Sequence, residues 1–235
     1  MIYIIGDSHV SVFSGTDKTH DGLRHIQPEF GTCYTLSEGQ LRPVINRFEQ
    51  KIPFFCPIKI GSNTAYNSYN KLPRIEQVIE EYQITENDYI FTCFGEIDIR
   101  NHIGFKSNEQ KITLSEAIKL CVDRYFETVL YLKNKYKNVG VYCPPASSVG
   151  WVANLSQDYG NVKVRNQMTL EFNEYLKQKC KENNIVVKDI SKQMMMTDGT
   201  TDEKYIMDDI HLSQQSMPLL LNEFTDIIWE TTNKK

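Results

Sequence analysis

The chain has 235 residues, with 26 basic and 30 acidic side chains, a formal net charge of −4 and 40% hydrophobic residues. That length suits one domain, 1–235, with a core of its own. No Lys/Arg block occurs before Lys234-Lys235, which argues against a nucleic-acid surface, and no apolar run is long enough to cross a membrane.

Ile2-Tyr3-Ile4-Ile5 is an unbroken apolar run, the pattern of a strand buried on both faces, and Gly6 ends it in a turn. Asp7, Ser8 and His9 follow at once, and residues 9–13 suit a short helical turn. Residues 14–50 are polar and carry Gly15, Gly22, Gly31 and Gly39, which predicts loops with at most a minor hairpin. Ile52 to Ile60 predicts a second strand, ending at Gly61. Ile75, Val78, Ile79 and Tyr82 then recur at helical spacing behind Pro73. Asp88 to Phe94 predicts a buried strand that delivers Gly95.

Thr113-Leu114-Ser115-Glu116 has the form of a capping box, and Leu114, Ile118, Cys121, Val122, Tyr125, Val129 and Leu132 share one face of the helix behind it. Val139 to Cys143 is a strand stopped by Pro144-Pro145. Residues 146–164 predict a loop holding Trp151 and Tyr159. Met168, Phe172, Tyr175 and Leu176 mark a helix, Ile185 to Val187 a fifth strand, and residues 188–207 an irregular stretch. Met217, Leu220, Leu221, Phe224, Ile227 and Ile228 predict one last helix. Short apolar strands alternating with amphipathic helices specify an α/β fold with a parallel sheet covered on both faces.

The six cysteines (33, 56, 93, 121, 143 and 180) form no CxxC or other metal-ligand spacing. Cys56, Cys93 and Cys143 fall in strand-like runs and read as buried free thiols. The start of the chain has no basic n-region, and its apolar run is too short for a signal peptide. These features lead us to expect a cytoplasmic protein without metal or cofactor.

Two stretches carry chemistry. Asp7-Ser8-His9 places a hydroxyl between an acid and an imidazole where a parallel sheet would open, although such a triplet also makes an ordinary turn. Asp208-Asp209-Ile210-His211 precedes the last helix. Asp208 and His211 are three residues apart, so one turn brings the carboxylate to the ring and leaves the other ring nitrogen for a serine proton. A helix cap explains the acids and Ser213, but not His211.

Gly6-Asp7-Ser8-His9 and Asp208-x-x-His211, in this order at the two ends of the chain, resemble the SGNH (GDSL-type) hydrolases. The resemblance implies a three-layer α/β/α sandwich around a five-stranded, flavodoxin-like parallel sheet. It implies Ser8 as nucleophile, His211 as general base and Asp208 as its orienting partner. Gly61 in Ile60-Gly61-Ser62-Asn63 resembles the family's glycine block. Gly95-Glu96-Ile97-Asp98 resembles its Gly-x-Asn-Asp block, except that Ile97 stands where the asparagine belongs. The expected oxyanion hole is therefore the backbone N–H groups of Ser8 and Gly61, with Asn63 as substitute donor.

The implied reaction is removal of a short acyl group, acetyl in particular, from a carbohydrate or related small ester through an acyl-enzyme. The expected partners are a small-molecule or glycan ester, with no nucleic acid and no membrane. Glu96 and Arg100, four apart, pair on a helical turn and with Asp98 brace the site, or Arg100 turns to the pocket and binds substrate. His9 lines the pocket or is an exposed helix-start residue. Trp151 supplies a stacking surface for a sugar ring. Three other readings stay open. One passes the acyl group to a sugar hydroxyl, and one is a non-catalytic glycan-binding protein. In the third, Asp7-x-His9 and Gly95 to Arg100 resemble a metallophosphoesterase, which needs more His and Asn ligands than the chain supplies after His102.

Overall fold

Strands and helices alternate from the first residues onward. The computed structural model describes residues 1–15, 33–37, 40–44, 54–61, 63–148, 160–208 and 210–233. The described strands are β1 (Ile2–Gly6), β2 (Cys33–Ser37), β3 (Gln40–Val44), β4 (Phe55–Lys59), β5 (Tyr89–Cys93), β6 (Val139–Tyr142) and β7 (Val186–Lys188). The described α-helices are α1 (Leu72–Glu81), α2 (Ile103–Gln110), α3 (Leu114–Lys135), α4 (Val162–Glu182), α5 (Ser191–Met194), α6 (Met217–Glu223) and α7 (Thr225–Asn233).

Five strands form one parallel sheet in the order β4-β1-β5-β6-β7. Numbered along the chain these five run 2-1-3-4-5, the flavodoxin-like order, whose crevice opens between the first and third. Side chains alternate between two cores because successive strand residues face opposite ways. Ile5, Ile58 and Ile90 join Ile75, Ile118, Val122, Phe172 and Leu176 on one face. Ile4, Phe55 and Phe91 join Phe13, Leu220, Phe224 and Ile227 on the other. There Phe224 meets the rings of Phe13, Phe55 and Phe91 at centroid distances of 5.6, 5.3 and 5.0 Å.

The register sets the site. Gly6 is level with Lys59 on one side and Cys93 on the other, so β1, β4 and β5 end together. Asp7, Ile60-Gly61 and Phe94-Gly95 therefore leave the sheet along one rim.

Some local expectations hold and others shift. The first helical turn is a 3-10 helix, Ser8–Ser14, buried along its whole length. The hairpin foreseen within 14–50 is β2 and β3, paired antiparallel. The fifth strand lies one residue later than its apolar run. The last apolar stripe is split at Phe224 into α6 and α7, with the stripe continuing through the buried Phe224. Residues 188–207 hold α5 and a 3-10 turn, Glu203–Tyr205, both shorter than any periodicity can signal. Helix α4 starts at Val162, where Asn161 accepts a hydrogen bond from the Lys163 N–H, so the loop expected over 146–164 ends earlier than its last residues, and its middle, 149–159, lies outside the described residues. Trp151, Tyr159 and Asp209 lie outside the described residues. Cys56, Cys93, Cys121, Cys143 and Cys180 are buried, and among the described residues none is in a disulfide. Among the described residues no helix is long and apolar enough to cross a membrane.

Candidate active site

Ser8 opens the 3-10 helix immediately beyond β1. Asp7 caps that helix, its Oδ1 accepting from the His9 N–H at 2.9 Å, and its own N–H donates to the Cys93 carbonyl at 3.1 Å. The turn before Ser8 is thus fixed by its own cap and by the neighbouring strand. Ser8 itself is 9% exposed.

The last loop presents His211. Asp208 Oδ1 accepts the backbone N–H groups of Ile210 and His211 at 2.8 and 2.6 Å, while Oδ2 accepts from His211 Nδ1 at 2.8 Å. One carboxylate therefore shapes the turn and orients the ring. With Nδ1 committed as donor, Nε2 is the basic nitrogen. Burial would raise the Asp208 pKa, but the hydrogen bonds from His211 and Ile210 outweigh it and lower the pKa. Burial, with the charge of His9 second, lowers the His211 pKa below the ordinary 6.5.

His9 joins this loop to the Ser8 turn. Its Nδ1 lies 3.2 Å from Asp7 Oδ1 and its Nε2 lies 3.3 Å from the Ile210 carbonyl. The His9 and His211 rings have centroids 5.5 Å apart. His9 is buried rather than an exposed helix-start residue, because Asp7, Ile210 and Glu96 enclose its ring.

The two middle blocks meet the same rim. Gly61 has φ +99°, a left-handed conformation that disfavours any side chain, and a Cβ there would touch no described residue within 4 Å beyond its chain neighbours. Open space beside a backbone N–H is what an anion pocket requires. Asn63 is buried, its N–H bonded to the Gly61 carbonyl at 3.0 Å, and its side-chain Nδ2 has no partner among the described residues. Nor does any described residue accept from the N–H of Ser8 or Gly61.

At Gly95 (φ +126°) a Cβ would lie 2.6 Å from Pro144 Cγ, so the turn out of β5 admits only glycine. Beyond it the helix widens into a π-turn over Asp98–His102. Glu96 Oε1 and Oε2 accept from Arg100 Nε and Nη2 at 2.7 and 3.2 Å, and Glu96 Oε2 lies 3.8 Å from His9 Nε2. Asp98 is buried and accepts the N–H groups of Ala65 and Tyr66 at 2.6 and 3.3 Å. Burial pushes its pKa up to about 7 against those bonds. The third block thus braces the first through Glu96 and the second through Asp98. Ile97, in the asparagine's place, is partly exposed at the rim.

Residues 2–224 match a family described as GDSL-like lipase/acylhydrolase. The chain belongs to that family. This GDSL-type hydrolase covers 97% of its own length, and 87% of the other chain, on a GDSL-like lipase from Bacteroides thetaiotaomicron at 12% identity and a TM-score of 0.61. An acetyl xylan esterase aligns over 97% of this chain and 99% of its own, at 13% identity and a TM-score of 0.51. A lipase/acylhydrolase from Enterococcus faecalis aligns over 97% and 95%, at 15% identity and 0.50. At these identities the likeness is one of fold. Among curated protein sequences none matches.

Four buried polar side chains of this GDSL-type hydrolase, Lys59, Arg165, Asn166 and Asn173, are not legible as buried in the sequence. Lys59 at the end of β4 is buried, and burial lowers its pKa to about 8 against the opposing charge of Asp7. Arg165 is fully buried and donates to the carbonyls of Gly160 and Ser148 at 2.8 and 2.5 Å. Asn166 bonds Ser147 and Thr201, and Asn173 bonds the Pro144 carbonyl. The signal for these three was polar side chains at helical spacing on the same helix as Met168, Phe172 and Leu176, where a solvated face would have no reason to interleave with the core.

Proposed function

We propose that this hydrolase is a serine esterase in which Ser8 attacks an ester carbonyl, His211 takes its proton and Asp208 orients His211. The observation that carries this reading is the 2.8 Å bond from His211 Nδ1 to Asp208, in a loop joined through His9 to the turn bearing Ser8. Attack by Ser8 Oγ on the carbonyl carbon forms a tetrahedral oxyanion, and the proton moves to His211 Nε2. His211 then returns that proton to the leaving alcohol oxygen as the C–O bond breaks, leaving an acyl-enzyme. Water, deprotonated by the same ring, releases the acid and restores Ser8.

The oxyanion receives the N–H groups of Ser8 and Gly61 and the Nδ2 of Asn63. All three are without protein acceptors among the described residues, which is the state of donors waiting for a transient anion. Asn63 thereby does what Ile97 has no group to do. Glu96 and Asp98 hold the three blocks in register. Arg100 is fixed by Glu96 as part of that brace, and Trp151, outside the described residues, is the residue we infer to stack on the sugar.

A short acyl group on a carbohydrate is the substrate we infer, in keeping with the shared fold of an acetyl xylan esterase. The test is a panel of acetylated sugars and p-nitrophenyl esters of rising chain length, run with wild type and Ser8→Ala. Turnover of acetyl esters that is lost in Ser8→Ala supports the reading. A marked preference for long acyl chains refutes the substrate class, and unchanged activity in Ser8→Ala refutes the mechanism.

A further inference from the structure

His9 has acceptors on both sides of its ring. Nδ1 faces Asp7 Oδ1 at 3.2 Å, while Nε2 faces the Ile210 carbonyl at 3.3 Å and Glu96 Oε2 at 3.8 Å. A neutral imidazole has one N–H and one lone pair, so one of its nitrogens would point a lone pair at another lone pair. The ring is 1% exposed, which leaves no room for water to relieve that conflict. Only the doubly protonated ring satisfies both sides.

We propose that His9 is a positioning residue for the catalytic base that is charged at neutral pH, an imidazolium clamped by Asp7, Glu96 and the Ile210 carbonyl whose field keeps His211 neutral and ready to accept the Ser8 proton. This rests on the serine mechanism above. The groups facing His9 are Asp7 and Glu96, with His211 across the gap, and Lys59 and Arg100 stand behind the two carboxylates. Those facing His211 are Asp208, His9 and, further off, Glu96. Burial pulls the His9 pKa down, but Glu96 and then Asp7 overcome it and lift it to about 9.

The charge has two effects on the reaction. A base held below its ordinary pKa stays neutral in mildly acidic water. Once it has taken the serine proton, it is also a stronger acid toward the leaving alcohol. In addition, a fixed cation one residue from Ser8 favours the negative charge that develops on the oxyanion.

The chain has five histidines, so ring-nitrogen NMR of histidine-labelled protein resolves them with single variants. Both His9 nitrogens should stay protonated well past neutral pH, and His211 should titrate below the ordinary histidine range. In His9→Gln the His211 midpoint and the acid limb of kcat/KM should move upward together, a shift that loss of packing alone would not produce. Glu96→Gln, which removes one carboxylate facing the ring, should bring the His9 titration down in pH, and it gives an answer if His9→Gln does not fold. A neutral His9 at neutral pH, or a His211 midpoint indifferent to His9→Gln, overturns the proposal. Fluorophosphonate labelling of Ser8 in the same samples separates the two claims. A labelled Ser8 with an unmoved His211 midpoint sinks the role of His9 and spares the serine mechanism. An unlabelled Ser8 sinks the mechanism, and the catalytic role of His9 with it.

Discussion

An imidazole is a general base only while it is neutral, so the environment of His211 sets the acid side of the activity profile. Burial and the His9 charge both lower its pKa, and Asp208 only partly opposes them. The sign follows directly: protons bind His211 only below the ordinary 6.5, so turnover should persist beneath that pH and fall at still lower pH. A profile of kcat/KM with its acid limb at or above the ordinary value would contradict this. Asp208 and Asp209 are adjacent and chemically alike; Asp208 bonds His211, and it alone stands three residues before that ring. Asp208→Asn should cost roughly 10²-fold or more in kcat, whereas Asp209→Asn should stay within about tenfold. Steady-state kinetics on the two variants, with thermal melts as a folding check, decides it, and equal damage would mean that the loop is structural.

The three turns that leave β1, β4 and β5 separate rate from stability. Asn63 Nδ2 is buried without a partner among the described residues, so Asn63→Ala breaks no bond of that nitrogen to a described residue. It should leave the melting temperature near that of wild type, yet lower kcat by about 10²–10³-fold through loss of an oxyanion donor. Asp98→Ala should do the reverse in stability, because it strands the Ala65 and Tyr66 N–H groups at about 1–3 kcal/mol each. Melting curves and kcat on both variants test the pair, and an Asn63→Ala protein with undiminished kcat would remove Asn63 from the oxyanion hole. At this scale the sequence was readable where side-chain type carries the message. Gly6, Gly61 and Gly95 each follow an apolar run, and Thr113 with Glu116 forms the capping box as written. It was unreadable where partners come from elsewhere in the chain. His9 is two residues from Asp7, but its burial depends on Glu96 and Ile210, which arrive from other loops. The π-turn over Asp98–His102 and helix α2 are not legible because they are short and carry no sustained apolar period: in α2 only Ile103, Gly104 and Ser107 are buried.

Across the whole molecule, the fold was legible because each strand of the main sheet is an apolar run and each long helix has an apolar face. The 2-1-3-4-5 order is not written in any strand; it follows from parallel pairing and crossover rules acting on the whole set. The sheet makes the site possible and also ties folding to its charges. His9 has a folded pKa of about 9, above its unfolded value of 6.5, so its stabilising contribution is full below 6.5 and is lost as pH rises through 9. Lys59, lowered to about 8, works in the opposite direction above that pH. Between pH 6.5 and 8, therefore, the wild-type melting temperature should decline, and His9→Gln should flatten that decline. Parallel slopes for the two proteins would contradict a buried imidazolium.

The central claim is that Ser8 is a nucleophile activated by His211. Mass spectrometry of the protein after treatment with a fluorophosphonate addresses it without any choice of substrate. The account predicts a single covalent adduct on the peptide that carries Ser8, absent in Ser8→Ala and formed far more slowly in His211→Ala. An unmodified wild-type protein, or an adduct that persists in Ser8→Ala, would contradict it.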